Sequence, residues 1–157
     1  MESRYMANEI YANYSSGETL YAVIRNRQGN VWCVSGQVFE VWGTGGRDAD
    51  DYDIALTDKG GARYVVDFPA AITNAGRYGI QVFLQAGVNP ADSDQLVAGR
   101  EIFWSGRGEL TAEKLLADKA VQDKSSGEIK YYDDDGQTLI LTITPADGES
   151  SITRTPS

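Results

Sequence analysis

Carboxylate groups are the residues of this chain most able to do chemistry, and three of them are consecutive. Asp133, Asp134 and Asp135 stand directly before Gly136 in the stretch GEIKYYDDDGQTLILTIT. Neighbouring residues of a strand point to opposite faces, so three adjacent aspartates of a strand could not all reach one ion. An Asp-Gly pair is favoured in two-residue hairpin loops. We therefore interpret Asp135-Gly136 as a turn, with a surface cation site and a catalytic carboxylate pair as the alternatives.

A second acidic stretch, DADDYD, is the better candidate for a metal site. Its carboxylates alternate in two pairs along a Gly-rich loop, and they are Asp48, Asp50, Asp51 and Asp53. A loop can bend such side chains inward around Ca²⁺, which takes oxygen ligands. Calcium is thus the one cofactor that the sequence suggests, and a solvated acidic loop without metal is the alternative.

The chain of 157 residues contains no histidine, which removes many catalytic arrangements. Ser-His-Asp triads, Cys-His dyads and His-ligated zinc are all excluded. The single cysteine, Cys33, lies in the apolar stretch NVWCVSG, which is typical of a small buried side chain. We expect no catalytic residues and no organic cofactor, so the protein is predicted not to be an enzyme. A glycosidase using two carboxylates is the third-ranked hypothesis.

The charge of the chain bears on its partners. The formal net charge is −9 and the isoelectric point is near 4.4. An acidic protein repels phosphate backbones and anionic membrane surfaces, so neither nucleic acid nor membrane is an expected partner. A membrane-spanning helix needs a run of about 18 or more apolar residues, and no stretch of the chain approaches this length. The first residues also lack the apolar segment of a signal peptide.

The elements that must position these residues are mostly short strands. Alternating apolar and polar residues, separated by Gly-rich turns, predict about seven strands between Thr19 and Ser105. This pattern is typical of an immunoglobulin-like antiparallel β-sandwich, to which we assign residues 8–106. Two of the strands, at 52–57 and 62–68, flank the turn DKGG and are predicted to form a hairpin. Residues 107–157 are assigned to a separate segment of one short helix and a β-meander. The helix is predicted from Thr111, a favourable N-cap, to Lys119.

The meander is too small to build a core alone. The alternation predicts that Leu139, Leu141 and Ile143 share one face of a strand, with Ile140 on the other. Both faces are then apolar and need a cover. We therefore expect this segment to be an assembly interface, formed by Leu115, Leu116, Ile129, Tyr131, Leu139, Leu141 and Ile143.

Three parts of the C-terminal segment match a known pattern: KAVQ at 119–122, YYDDDG at 131–136, and residues 142–156, which close with TRTP. In these residues the chain resembles the C-terminal segment of small structural proteins of tailed phages and prophages. The resemblance is close over residues 119–157 and looser over 98–120, and Asp118 stands where those proteins carry Asn. It implies a virion component such as a tail, baseplate, fibre-attachment or capsid-decoration protein. It also implies synthesis in the host cytoplasm without a signal peptide.

Two functions from different classes follow. The first is a non-enzymatic virion structural protein that forms homo-oligomers and docks on other virion proteins. The alternative is a module that binds glycans or a host surface, with exposed Trp or Tyr near the acidic loop at 48–53 and a dependence on calcium. Trp32 and Trp42 lie in apolar strands, which also fits a purely structural role in the core.

Overall fold

A computed structural model describes residues 8–147 and 152–156. Strands contain 43% of the residues and helices 9%, and the strand pairs are antiparallel. The prediction of an all-β sandwich with a short helix and a C-terminal meander is confirmed. Within the described ranges, no helix is both long enough and apolar enough to cross a membrane.

Three strands have nine or ten residues, and the other strands and both helices have six or fewer. The strands are β1 (Ile10–Asn13), β2 (Leu20–Arg25), β3 (Val31–Cys33), β4 (Val38–Glu40), β5 (Ile54–Ala55), β6 (Thr57–Asp58), β7 (Arg63–Val66), β8 (Gly76–Leu84), β9 (Gln95–Trp104), β10 (Ala120–Gln122), β11 (Ile129–Tyr132), β12 (Leu139–Asp147) and β13 (Ile152–Pro156). The helices are α1 (Ala49–Tyr52) and α2 (Ala112–Ala117), with a 3₁₀ turn at Thr44–Gly46.

The chain divides into two compact units. The first comprises residues up to Ile72 together with Arg77–Ile102, and the second comprises Thr73–Gly76 together with residues from Phe103 onwards. The sequence placed the boundary between 106 and 107, whereas the division falls inside β9. The end of β9 belongs to the second unit because the chain returns against it: Leu110 N–H donates to the Phe103 carbonyl at 2.7 Å.

The first unit contains two sheets. The larger has the strand order β4-β3-β2-β8-β9, with β5 also pairing β2, and the smaller has the order β1-β7-β6. Both sheets contribute buried side chains, such as Ile10 and Tyr64 from the small sheet and Ile24 and Ile80 from the large one. In β2 the first five residues are all buried, so this strand is covered on both faces. Cys33 is also buried, as predicted.

One predicted strand of the first unit is wrong. The sequence predicted a continuous strand over 52–57 paired with 62–68. Instead, Tyr52 ends α1, β5 pairs with β2 of the large sheet, and β6 pairs with β7 of the small sheet. The hairpin of β6 and β7 is therefore confirmed, but the chain changes sheets at Leu56, whose N–H donates to the Leu20 carbonyl at 2.9 Å.

The second unit contains a four-stranded meander in the order β10-β11-β12-β13. Tyr131 pairs with Leu141, but Tyr132 pairs with Leu139, so Ile140 is the extra residue of a β-bulge. Because Tyr131 and Tyr132 point to opposite faces, their partners Leu141 and Leu139 do as well. The prediction that Leu139 shares a face with Leu141 is therefore wrong, since a bulge reverses the alternation.

The extra residue is also a centre of packing in this unit. Ile140 is 1% exposed. It lies so close to Gly108 that a Cβ atom on Gly108 would be 2.6 Å from the Ile140 Cγ2. Glycine at 108 thus permits the close approach of backbone and side chain that buries the bulge.

Substitution of Gly106 by alanine is expected to destabilise the second unit. Gly106 has φ +93°, and a Cβ atom would lie 2.3 Å from the carbonyl oxygen of Thr73. A side chain is disfavoured at this left-handed φ, and its Cβ atom would overlap the Thr73 carbonyl. Together these two effects should lower the free energy of unfolding by about 2–5 kcal/mol, as measured by urea denaturation. Gly17→Ala is the matched control, because Gly17 has φ +96° but open space around it. Equal losses in the two variants would contradict the proposed overlap.

Candidate functional site

The three consecutive aspartates form a turn, as predicted, but not the predicted two-residue loop. Asp133 N–H donates to the Thr138 carbonyl at 2.8 Å, which closes a larger loop. Within it, Gly136 N–H donates to the Asp133 carbonyl at 2.7 Å, and Gly136 has φ +65°. This is a turn followed by a left-handed glycine, a common alternative to the two-residue loop.

Asp135 holds this turn with its side chain. Its Oδ1 accepts hydrogen bonds from the N–H groups of Gln137 and Thr138 at 2.7 and 2.8 Å, and its Oδ2 accepts one from the Thr138 hydroxyl at 2.6 Å. These bonds, led by that of the hydroxyl, lower the pKa of Asp135. Both oxygens of its carboxylate are therefore engaged in holding the turn.

The structure does not bring the carboxylates of the predicted calcium loop together. Asp48 is the N-cap of α1: its Oδ1 accepts from Asp50 N–H at 3.1 Å, while Asp51 Oδ2 accepts from Asp48 N–H at 3.1 Å. This reciprocal capping box uses two of the four carboxylates to begin a helix that the sequence analysis missed. The spacing of Asp48 and Asp51 could have indicated it. Burial, together with the charges of Asp50 and Asp51, raises the pKa of Asp53.

Carboxylates do converge elsewhere, in the second unit. Among the described residues, single oxygens of Asp118, Asp133 and Asp134 lie within 4.8 Å of one another. We call these three residues the aspartate cluster. Asp133 and Asp134 come from the β11–β12 turn, and Asp118 is the C-cap of α2. The helix is set by Thr111, whose hydroxyl accepts from Lys114 N–H at 3.2 Å, as predicted for its N-cap.

A lysine of the same helix partly neutralises the cluster. Lys114 Nζ lies 2.5 Å from Asp133 Oδ1, and both side chains are largely buried. Burial disfavours the ammonium, but the bond to Asp133 and the charges of Asp133 and Asp134 outweigh it, so the pKa of Lys114 is raised. The pair joins α2 to the turn.

Asp118 contributes a buried carboxylate oxygen, Oδ2, that has no hydrogen-bond partner among the described residues. Burial, followed by contact with the Asp134 carboxylate, raises the pKa of Asp118, and Lys114 opposes this only in part. Two carboxylates in contact need either a shared proton or a cation between them. Asp118 was not among the predicted site residues, although a negative side chain at the C-terminal end of a helix is itself an unfavourable placement.

The predicted interface residues have unequal environments. Leu116 is 87% exposed and Leu115 is 38% exposed. Leu141 is buried, whereas Ile129, Tyr131, Leu139 and Ile143 are half-buried. Tyr131 and Leu141 form a direct cross-strand pair, as do Ile129 and Ile143. The two leucines of α2 are therefore the members of the set with most apolar surface in solvent.

Comparisons of the chain with protein-family models, with curated proteins and with solved structures found no match.

Substitution of Asp118 by asparagine is expected to raise the melting temperature at pH 7. The amide removes the repulsion from Asp134 and can donate to it. The folded-state pKa of Asp118 is raised, so protonation of this side chain stabilises the folded protein. This contribution is fully present below the unfolded-state pKa and is lost as the pH rises through the folded-state pKa. The gain should therefore shrink as the pH is lowered to about 4, as followed by thermal unfolding across this range.

Asp123→Asn is the matched control, with the opposite sign. The Asp123 carboxylate accepts from the Ser125 hydroxyl at 2.6 Å and from the N–H groups of Ser125 and Ser126. These bonds lower its pKa, so its contribution is present above the unfolded-state pKa and is lost in acid. Its removal should lower the melting temperature at pH 7. A loss of stability at pH 7 in Asp118→Asn would show that the cluster requires its negative charge.

Proposed function

We propose that this chain is a non-enzymatic structural protein of a phage-type virion that assembles with its own copies and docks on other virion proteins. The observation that carries the proposal is the apolar surface that α2 exposes in the second unit. Tail, baseplate, fibre-attachment and capsid-decoration components are all compatible with this function.

The small core of the second unit supports the proposal. Among its described residues, the buried hydrophobic side chains are those of Trp104, Ile140 and Leu141. A unit of this size gains little stability from so few buried groups. Further burial against another chain would stabilise it, as is common where small folding units form subunit interfaces.

The exposed apolar residues of this unit supply surface for such burial. Leu115, Leu116 and Val121 are all exposed, and Leu116 is almost fully so. Single exposed apolar side chains are ordinary, but several within one short segment of helix and strand are the usual material of an interface core. The strand that carries Val121, β10, is also an edge of the sheet.

The C-terminal resemblance supports the virion setting. The KAVQ run consists of Lys119 and the three residues of strand β10. The YYDDDG run spans the end of β11 and the turn after it. The closely matching residues thus lie in the meander and its turns, and they include two members of the aspartate cluster.

The test is the mass of the full chain in solution by light scattering. We expect a discrete oligomer for the wild type and dissociation of it in Leu116→Lys. Loss of one fully buried leucine, about 1.5–3 kcal/mol, corresponds to a roughly 10- to 100-fold weaker association. Leucine and lysine have similar helix propensities, so the folded monomer should keep its stability.

Val88→Lys is the matched control, because Val88 is 95% exposed but lies in a loop of the first unit. This variant should assemble like the wild type. A wild type that stays monomeric at all concentrations would contradict the proposal. Equal dissociation of both variants would show that added charge, and not the α2 surface, controls assembly.

A further inference from the structure

We propose that strand β10 pairs edge to edge with β10 of a second copy of this chain, antiparallel and centred on Val121. This inference rests on the self-assembly proposed above and names the backbone contact that sets its geometry. The pairing joins two four-stranded meanders into one continuous sheet.

The outer side of β10 is uncovered in the described part of the chain. This strand is the first in the sheet order β10-β11-β12-β13, and no described strand pairs with its other side. All three of its residues, Ala120, Val121 and Gln122, are exposed. An edge of this kind presents unpaired N–H and C=O groups, which can template pairing with another chain.

The hydrogen bonds between β10 and β11 show which backbone groups face outward. Tyr132 N–H donates to the Lys119 carbonyl at 3.0 Å, and Asp123 N–H donates to the Glu128 carbonyl at 2.8 Å. Along an antiparallel strand, every second residue directs its N–H and C=O groups to the same neighbour, so Val121 also directs them to β11. The backbone groups of the residues on either side of Val121 therefore point to the free edge.

This alternation restricts how two copies can pair. When Val121 lies opposite itself, Ala120 of each copy lies opposite Gln122 of the other. Each of these pairs then exchanges both of its N–H···O bonds, which satisfies the outward groups of the strand. Val121 meets its own copy in the closer, non-hydrogen-bonded type of pair, where its exposed apolar side chain is covered.

The charges beside β10 favour this register. The stretch at 118–124 reads DKAVQDK. Reversal about its central valine places Lys119 of one copy opposite Asp123 of the other, and it brings Asp118 near Lys124. Opposite charges that face each other across two strands are favourable, and like charges are not. A shift of the centre by one residue in either direction removes both pairs.

Lys119 and Asp123 keep the capacity for this contact. The Lys119 ammonium donates to the Gly136 carbonyl at 3.0 Å and lies 4.7 Å from the centroid of the Tyr132 ring, and an ammonium has further protons to donate. The described hydrogen bonds of the Asp123 side chain all go to Oδ1, which leaves Oδ2 for a lysine. The stretch at 118–124 also has no net charge, so two copies of it do not repel each other.

The first test is light scattering of the full chain carrying Gln122→Pro. Proline removes the outward N–H group at 122 but none of the hydrogen bonds between β10 and β11, and it is tolerated at a sheet edge where its nitrogen faces solvent. We expect association to weaken about tenfold or more. Gln122→Thr is the matched control, because threonine suits a strand and keeps the N–H group, and it should assemble like the wild type.

The second test does not depend on how well proline is tolerated. Val121→Cys and Ala120→Cys are oxidised separately with glutathione disulfide, and dimers are measured on non-reducing gels. In the proposed register the two copies of residue 121 have Cα atoms about 4.5 Å apart, within the span of about 4.4–6.8 Å that a disulfide bridges. The two copies of residue 120 are diagonal neighbours, about 7–8 Å apart. We expect a disulfide-linked dimer from Val121→Cys and little from Ala120→Cys, while Cys33 is buried in both.

The outcomes separate this inference from the proposed function. An oligomeric wild type, with Gln122→Pro assembling as well as Gln122→Thr, overturns the β10 pairing but leaves self-assembly through α2 in place. Equal linkage of the two cysteine variants, or faster linkage of Ala120→Cys, overturns the register centred on Val121. A wild type that stays monomeric contradicts the proposed function and this inference together. Circular dichroism of each variant checks that the fold is kept.

Discussion

Hydrogen bonds from backbone N–H groups to aspartate carboxylates fix several of the turns that connect the strands of this fold. Asp58 accepts from the N–H groups of Gly60 and Gly17, both at 2.8 Å. Asp94 accepts from Ala91 N–H at 2.8 Å and from the Tyr21 hydroxyl at 3.0 Å. Charged acceptors make the stronger class of hydrogen bond, so these turns gain more than neutral side chains would give.

The same interaction accounts for the many acidic residues. Hydrogen-bond donors in the turns favour the charged form of the aspartates that accept from them. The pKa values of Asp58, Asp123 and Asp135 are therefore lowered. Part of the negative charge of the chain is therefore structural. Asp118 is the counterexample: its buried oxygen lacks a donor, and its pKa shifts in the opposite direction.

The two units differ in what they offer to other molecules. In the first unit, two sheets bury many side chains, and Arg63 and Arg100 both lie over the Tyr11 ring. The second has a small core among its described residues, and its unusual surface feature is the apolar side of α2. A unit with little core of its own gains most stability from a neighbouring chain.

The sequence by itself determined the features that depend on local backbone preferences. These include the all-β character, the N-cap at Thr111, the hairpin of β6 and β7, and the turn before Gly136. Each follows from residues within a few positions of one another, where side-chain type restricts φ and ψ directly. The capping box of α1 was also within reach of the sequence, since its two aspartates are three residues apart.

Only the tertiary structure decided the features that depend on register between distant segments. The bulge at Ile140 reversed the faces of β12, and a change of sheet divided the predicted strand at 52–57. Long-range placement of the same kind brings Asp118 close to two aspartates of the β11–β12 turn. It also brings Arg63 and Arg100 over the Tyr11 ring. Periodicity assigns a residue to a face within its own strand, but a one-residue shift in pairing moves it to the other face. The candidate sites arise from such pairings, so they could not be derived from spacing along the chain.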